Sequence, residues 1–250
     1  MRRLAPSGTP SFSQFSVVDF LASTDWFHRL PPDRQRWIRS RITTRSVGAS
    51  QYLARTGEVA THGYTVLEGL LVWSVSNEDG ADVTVAAMLQ GAWFGHGTLL
   101  GKYARKGSVV ALRDSRVACM PEDVFQWLLS ESLSFNEFLV RHAFARIHWL
   151  MGVIAARVTL SVDQQVARAI VGLTDKSLNP GTSLDLELSQ EELARMVGYT
   201  RQRCSGAIQR MKADGILQTR YGRISVSDEA RLGRFAEGTD GAALTKPKAR

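Results

Sequence analysis

Arg201, Gln202, Ser205 and Gln209 have types and spacing suited to one chemical task, the reading of DNA bases. At helical spacing they fall on one face. The fork of an Arg matches the O6 and N7 acceptors of guanine, and a Gln amide matches the N6 and N7 edge of adenine. Thr200, Arg203, Arg220 and Arg223 offer hydroxyl and guanidinium donors suited to phosphate oxygens. Such contacts add affinity and orientation but little sequence preference. From Ser189 to Arg223 there are seven Lys/Arg against three Asp/Glu, so the segment is net basic. The plain alternative is a helical hairpin with a solvated charged face.

Base reading needs a helix whose start is held outward by rigid neighbours. Ser189 with Glu192 forms a capping box, which opens a helix by satisfying its free N–H groups. Leu193, Ala194 and Val197 give that helix an apolar face. Gly198 can adopt the left-handed conformation that turns the chain. Thr200 can cap the next helix, whose Cys204, Ile208 and Met211 recur at i, i+4 and i+7 and face inward. Beyond Asp214-Gly215, Gln218–Arg220 and Ile224–Val226 read as two short strands around a Gly-containing turn. This is the pattern of a winged helix-turn-helix.

The preceding elements are legible at lower detail. Residues 1–16 and 237–250 have the composition of disordered tails. Residues 17–42 hold one or two short helices, with Pro31-Pro32 opening the second. Between Arg45 and Val124, short alternating runs are separated by Gly57, Gly69, Gly80, Gly91 and Gly95, in steps of 12, 11, 11 and 4 residues. Evenly spaced short strands with turn signals indicate a sandwich or barrel. A long helical pattern over 123–158 follows. There Val140, Ala143, Ile147, Leu150, Ile154 and Arg157 alternate steps of 3 and 4. That spacing describes a coiled-coil seam and predicts a homodimer, although Arg157 suits a seam poorly. Alternatively the stripe covers the β-domain. Residues 161–180 form a helix with Val162, Val166, Ile170 and Leu173 inward, stopped by Asn179-Pro180-Gly181. The boundaries are therefore a sensor domain over 17–130, a dimerisation helix over 131–160 and a DNA-binding domain over 161–230.

Composition narrows the function classes. The chain has 250 residues and a net charge of +7, which favours a polyanionic partner. Its two cysteines, Cys119 and Cys204, provide no disulfide framework, zinc pattern or iron–sulfur ligand set, and they point to a cytoplasmic protein with structural thiols. No apolar run has the length of a membrane span, and no apolar core follows Met1-Arg2-Arg3 to make a signal peptide. No catalytic constellation or metal-ligand spacing stands out, so no enzyme is expected. Gly95-His96-Gly97 lacks the strand and helix context of a phosphate loop.

Taken together, these segments resemble the CRP/FNR family of bacterial transcription regulators over about residues 19 to 228. The resemblance rests on the Phe20-Leu21, Trp26-Phe27 and Leu30-Pro31-Pro32 entry, Gly57-Glu58, Tyr64 and Val66 with Gly69, Gly80, Gly91 with Gly95, and Val197-Gly198 with Thr200-Arg201. It implies an α+β fold with an N-terminal double-stranded β-helix (β-roll), a long dimerisation helix and a C-terminal winged helix-turn-helix. It also implies partners: a second copy of the chain, a pseudo-palindromic double-stranded operator, a small-molecule effector and, for an activator, RNA polymerase. Family members of the CRP type read bases with an Arg, a Glu and a further Arg. The matching residues here are Arg201, Gln202 and Gly206, so the operator should differ. Thr200 matches a phosphate-contacting position.

The same resemblance places an effector pocket at Trp93, Gly95, His96, Gly97, Thr98, Arg105, Lys106, Ser108, Leu150 and Met151. Here the chain departs from cAMP-binding members. His96 stands where a Glu takes the ribose hydroxyl, Arg105 and Ser108 are split, and Leu150 and Met151 replace hydroxyl side chains. Each lost hydrogen bond is worth about 0.5–3 kcal/mol, so cAMP is not expected to be the ligand. Trp73, Trp93, Phe94, Leu99, Leu150 and Met151 either line a more apolar pocket or belong to the β-roll core. Arg105 and Lys106 either grip an anion or sit in a solvated loop. A metal or haem at His96 with His62, His142 or His148 has no supporting spacing. An effector could act by changing the angle at Leu160-Ser161. Two rival functions remain: a constitutive DNA-binding protein with a degenerate sensor, and a cyclic-nucleotide-binding regulatory module without DNA binding.

Overall fold

The computed structural model of the chain describes residues 16–76 and 82–239. Residues 1–15 and 240–250, where most of both tails was expected, and Gly80 lie outside the described residues. Three short helices come first: α1 (Val17–Ala22), α2 (Asp25–His28) and α3 (Pro32–Arg41). The sequence suggested one or two. The extra break arises because the Ser23 and Thr24 hydroxyls bond the Phe20 and Leu21 carbonyls and end the first turn pair. Phe20, Trp26 and Phe27 are buried with Trp93, Phe125 and Phe135 in one cluster. Trp26 meets Phe135 edge to face at 5.0 Å, a geometry that adds to area burial.

The β-roll consists of β1 (Thr43–Val47), β2 (Tyr52–Ala54), β3 (His62–Glu68), β4 (Leu71–Ser76), β5 (Asp82–Met88), β6 (Trp93–Phe94), β7 (Ser108–Ala111) and β8 (Ser115–Pro121). They form two antiparallel four-stranded sheets, ordered β1-β8-β3-β6 and β2-β7-β4-β5. Their inner faces bury Leu53, Val66, Leu71, Met88, Val109, Val117 and Cys119. A one-turn helix not read from the sequence, α4 (His96–Gly101), follows Gly95, which has a φ of 82°.

Two helices lead away from the roll: α5 (Glu122–Glu131) and the 27-residue α6 (Leu133–Thr159). Ser132 separates them and caps α6 by accepting from the Phe135 N–H. The C-terminal unit contains α7 (Val162–Thr174), β9 (Asp185–Glu187), α8 (Gln190–Val197), α9 (Arg201–Ala213), β10 (Leu217–Arg220), β11 (Arg223–Val226) and α10 (Glu229–Ala236). Helix α7 is shorter than the expected 161–180. It stops at Asp175, whose carboxylate turns back to accept from the Ser177 N–H at 2.8 Å. Two elements are additions to the sequence reading. Strand β9 extends the hairpin to a three-stranded sheet, ordered β10-β11-β9. Helix α10 carries the unit past residue 230 by burying Leu232 and Ala236. Residues 237–239, expected to begin a loose tail, close that helix: the Glu237 N–H and Gly238 N–H bond carbonyls of Gly233 and Phe235.

The C-terminal unit and the β-roll share apolar packing. Leu70, Val72 and Leu89 of the roll join Val166, Ile170, Leu193 and Ile208 in a single core. Beside it, Asn179 is only 1% exposed. Its Oδ1 accepts from the Leu89 N–H at 2.9 Å, while its Nδ2 donates to the Gly172 carbonyl at 2.9 Å. Gly181 N–H donates to the Gln90 carbonyl at 3.0 Å. A side chain at Gly91 would meet the Gly181 nitrogen at 2.8 Å, so this crossing requires glycine on both strands of chain.

Candidate nucleic-acid interface and effector cavity

Helix α8 begins at the Ser189–Glu192 capping box and ends at Gly198, whose φ of 72° only glycine adopts without strain. Thr200 then caps α9 by accepting from the Arg203 N–H at 3.3 Å. Cys204, Ile208 and Met211 are fully buried beneath α9, and Ala207 joins them. This inner stripe leaves Thr200, Arg201, Gln202, Arg203 and Gln209 exposed at the outer face, with Ser205 and Gly206 partly covered. Arg201 and Arg203 form no ion pair among the described residues. Arg210 differs, because both its Nε and Nη2 donate to the Asp163 carboxylate of α7.

The hairpin of β10 and β11 turns at Tyr221-Gly222. Arg220 and Arg223 are exposed beside that turn. Arg223 is held to Asp185 of β9 at 2.8 Å. Ser225 Oγ donates to the same carboxylate at 2.6 Å, and together with Arg223 and Arg220 it holds Asp185 below its ordinary range. Tyr221 was not singled out from the sequence. It is 105% exposed at the tip, flanked by two arginines, and an aromatic so placed can stack on a sugar or base. Its only sequence signal is a large aromatic in a tight turn.

Helix α6 has two apolar faces. Val140, Phe144, Ile147, Met151, Ile154 and Val158 form an exposed stripe with steps of 4, 3, 4, 3 and 4. Val140, Ile147 and Ile154 of the expected seam lie on it. Ala143, Leu150 and Arg157 do not. Ala143 and Leu150 are partly buried, with Leu150 lining a cavity of the β-roll. Arg157 reaches back to donate to the Val197 carbonyl at 3.0 Å. The roll occupies that side of the helix, so the free stripe is rotated toward Phe144, Met151 and Val158.

The cavity between α6 and the roll measures about 310 Å³. Of the pocket residues expected from the sequence, Trp93, Gly95, His96, Gly97 and Thr98 line it, and so do Arg105, Lys106 and Leu150. Two do not. Met151 points to the exposed stripe, because one residue along a helix rotates a side chain by about 100°. Ser108 turns its hydroxyl to the Thr56 N–H at 3.1 Å. Sequence reasoning missed Arg146, which lies four residues before Leu150 on the same face and also lines the cavity.

Electrostatics in this cavity are one-sided. Arg105 is 7% exposed, with its guanidinium over the Tyr64 ring at 5.5 Å and no ion pair or side-chain hydrogen bond among the described residues. Burial pulls the Arg146 guanidinium down, and Asp175 opposes that shift from a distance. His96 and His142 approach at 5.2 Å between ring centroids. Burial first, then His142 and Arg146, lower His96 to about 3. Burial and Arg146 lower His142 to about 4, against its hydrogen bonds to backbone. Both rings are therefore neutral at pH 7. His142 Nε2 lies 3.1 Å from the Trp93 carbonyl and must donate to it. His96 Nδ1 is sealed from solvent and has no hydrogen-bond partner. His62 instead bonds Thr61, and His148 is exposed on α6. Among the described residues no group of three or more His, Cys, Asp or Glu could hold a metal ion. Both cysteines are buried, and desolvation pushes both thiols up.

The family model for the cyclic nucleotide-binding domain matches residues 44–132, and the model for the Crp-like helix-turn-helix domain matches residues 164–235. The chain belongs to the CRP/FNR family of transcription regulators. The transcriptional regulator SdrP of Thermus thermophilus is 27% identical over 176 residues, covering 70% of this regulator and 83% of SdrP. A CRP-like cAMP-activated global transcriptional regulator of Mycobacterium tuberculosis is 22% identical over 183 residues, covering 72% of this regulator and 82% of that protein. The solved structure of FixK2 from Bradyrhizobium japonicum shares the fold with a TM-score of 0.66 at 17% identity, covering 81% of this regulator and 99% of FixK2. The regulator is thus a DNA-binding protein with a helix-turn-helix and a cyclic-nucleotide-binding-type domain. No helix among its described residues is long and apolar enough to cross a membrane.

Proposed function

We propose that the regulator acts as a homodimer that binds a pseudo-palindromic operator and answers to a small molecule other than cAMP. The observation that carries this reading is the outer face of α9. Arg201, Gln202 and Gln209 stand exposed over a fully buried inner stripe, so the start of the helix can enter a major groove without unfolding anything. Thr200, Arg203, Arg220 and Arg223 surround it with phosphate donors. The exposed stripe on α6 supports pairing, because a run of apolar side chains at coiled-coil spacing is stable when a second copy covers it. Two such subunits would set their reading helices about 34 Å apart, in successive major grooves.

The cavity lining supports the exclusion of cAMP. Among the described residues no Asp or Glu lines it to accept ribose hydroxyls, Leu150 brings no hydroxyl, and Met151 faces away. Selection of duplexes from a random pool, followed by gel-shift titration, tests the DNA reading. Arg201→Ala is expected to weaken the selected site by about tenfold to hundredfold, as loss of one bidentate base contact does, without weakening random DNA equally. Equal losses on both would reassign Arg201 to phosphate.

One observation favours a second reading, a constitutive regulator. The β-roll and the DNA-binding unit share a core, and the Asn179 clasp ties them. A ligand-free protein whose operator affinity is unchanged by every cavity ligand would decide for it.

A further inference from the structure

The cavity against α6 contains more positive charge than its surroundings neutralise. Arg105 is buried and Arg146 is partly buried, while Lys106 stands at the exposed rim. No acidic residue lines the space, and no carboxylate lies within ion-pair distance of Arg105 or Arg146 among the described residues. A buried cation without a partner is strongly unfavourable, and a bound anion relieves it. The two nearby histidines add no charge, but His96 Nδ1 offers one unused polar atom. Apart from the hydroxyls of Thr98 and Tyr103, the remaining wall is largely apolar, with Trp73, Met88, Phe94, Val109 and Leu150. A volume of about 310 Å³ is at the small end of the ~300–1,000 Å³ typical of ligand pockets.

We propose that this cavity binds a compact organic carboxylate, with the carboxylate on Arg105 and Arg146 and an apolar body against Trp73, Phe94 and Leu150. The proposal rests on the sensor reading above for its biological role, but not for its chemistry. A planar carboxylate matches the guanidinium fork, and the largely apolar wall suits an apolar body better than a ribose with its hydroxyls. Gly95 lies beside Arg105: a Cβ built there would stand 3.7 Å from the guanidinium, and both residues line the cavity.

Calorimetry and tryptophan fluorescence with phenylacetate, 4-phenylbutyrate and octanoate test the idea, with phenylacetamide, acetate and cAMP as comparisons. At least one of the three acids is expected to bind and to perturb the fluorescence of Trp73 and Trp93, and phenylacetamide is not. Arg105→Gln is expected to weaken that acid by about tenfold or more, as loss of a charge-assisted pair does. Arg105→Lys, which keeps the charge but loses the fork, falls between, and Lys106→Gln at the rim has a smaller effect. The proposal is overturned if no acid binds, if the amide equals the acid, if cAMP binds more tightly than any acid, or if both Arg105 variants bind as the parent does. Operator affinity separates the two claims. An acid that binds without changing it upholds the ligand class and refutes the sensor role, whereas a response to cAMP alone does the reverse.

Discussion

Arg201 and Arg105 are the same residue type in opposite circumstances. Arg201 stands exposed at the start of α9, on the face proposed to meet DNA. Arg105 sits inside the β-roll with 7% of its surface exposed and no ion pair among the described residues. The exposed arginine can be kept at almost no cost to folding, and its function shows only on binding. The buried one has given up most of its hydration and has the Tyr64 ring, not an anion, beside it. The DNA-reading end therefore follows the local rules of caps and amphipathic helices. The β-roll end breaks one rule of folded proteins, that buried charge is paired, and such breaks concentrate where ligands bind.

The comparison can be broken most severely at the stripe that would bring two reading ends together. Ile147→Glu is expected to turn a dimer into a monomer in sedimentation velocity. Operator affinity should then fall by roughly hundredfold or more, since one half-site is lost. Unchanged mass would leave α6 without its proposed partner.

The join between the two ends comes next. Asn179→Ala leaves the buried Leu89 N–H and Gly172 carbonyl without their partners. A loss of about 1–3 kcal/mol is expected in denaturant unfolding. If the two units are rigidly coupled, a single transition should also separate into two.

Acid sharpens the contrast within the sensor. His96 and His142 have folded values near 3 and 4, below their ordinary 6.5. Their neutral burial therefore favours the native state fully above pH 6.5, and that contribution is lost as pH falls from 6.5 toward about 4 for His142 and about 3 for His96. Within that window each histidine contributes up to about 1.4 kcal/mol per pH unit. The melting temperature should drop accordingly, and a His96→Gln, His142→Gln double variant should flatten the slope. An identical slope in the double variant would move the acid sensitivity elsewhere.

The smallest effect is expected at the wing. Arg220→Gln should lower affinity for operator and random duplexes alike, by severalfold at low salt, and reduce the salt slope by about one ion. Tyr221→Ala should add a similar loss if its exposed ring touches DNA.

Legibility in the sequence followed the range of the interactions. The capping box at Ser189, the turn at Gly198 and the inner stripe of α9 are all decided within a few residues, and they could be read directly. Strand β9 was missed although Leu184, Leu186 and Leu188 alternate with Asp185 and Glu187, because three residues are too short a strand to stand out without their partner β11. Helix α10 was missed because its apolar face is small and its value lies in packing on α7. The cavity was located by resemblance, but Arg146 was not, although its place one turn before Leu150 puts it on the same face.

By itself the chain determined the helix-turn-helix and its capped ends, that its second helix carries a polar outer face, and that α6 repeats apolar residues every three or four positions. Two registers of that repeat share Val140, Ile147 and Ile154. One continues through Ala143, Leu150 and Arg157, the other through Phe144, Met151 and Val158. Only the tertiary structure chose between them. The β-roll covers one side of α6, taking Leu150 into its cavity and leaving Phe144, Met151 and Val158 in solvent. A helix has the same periodicity on every face, so which face is free is decided by what packs against the others.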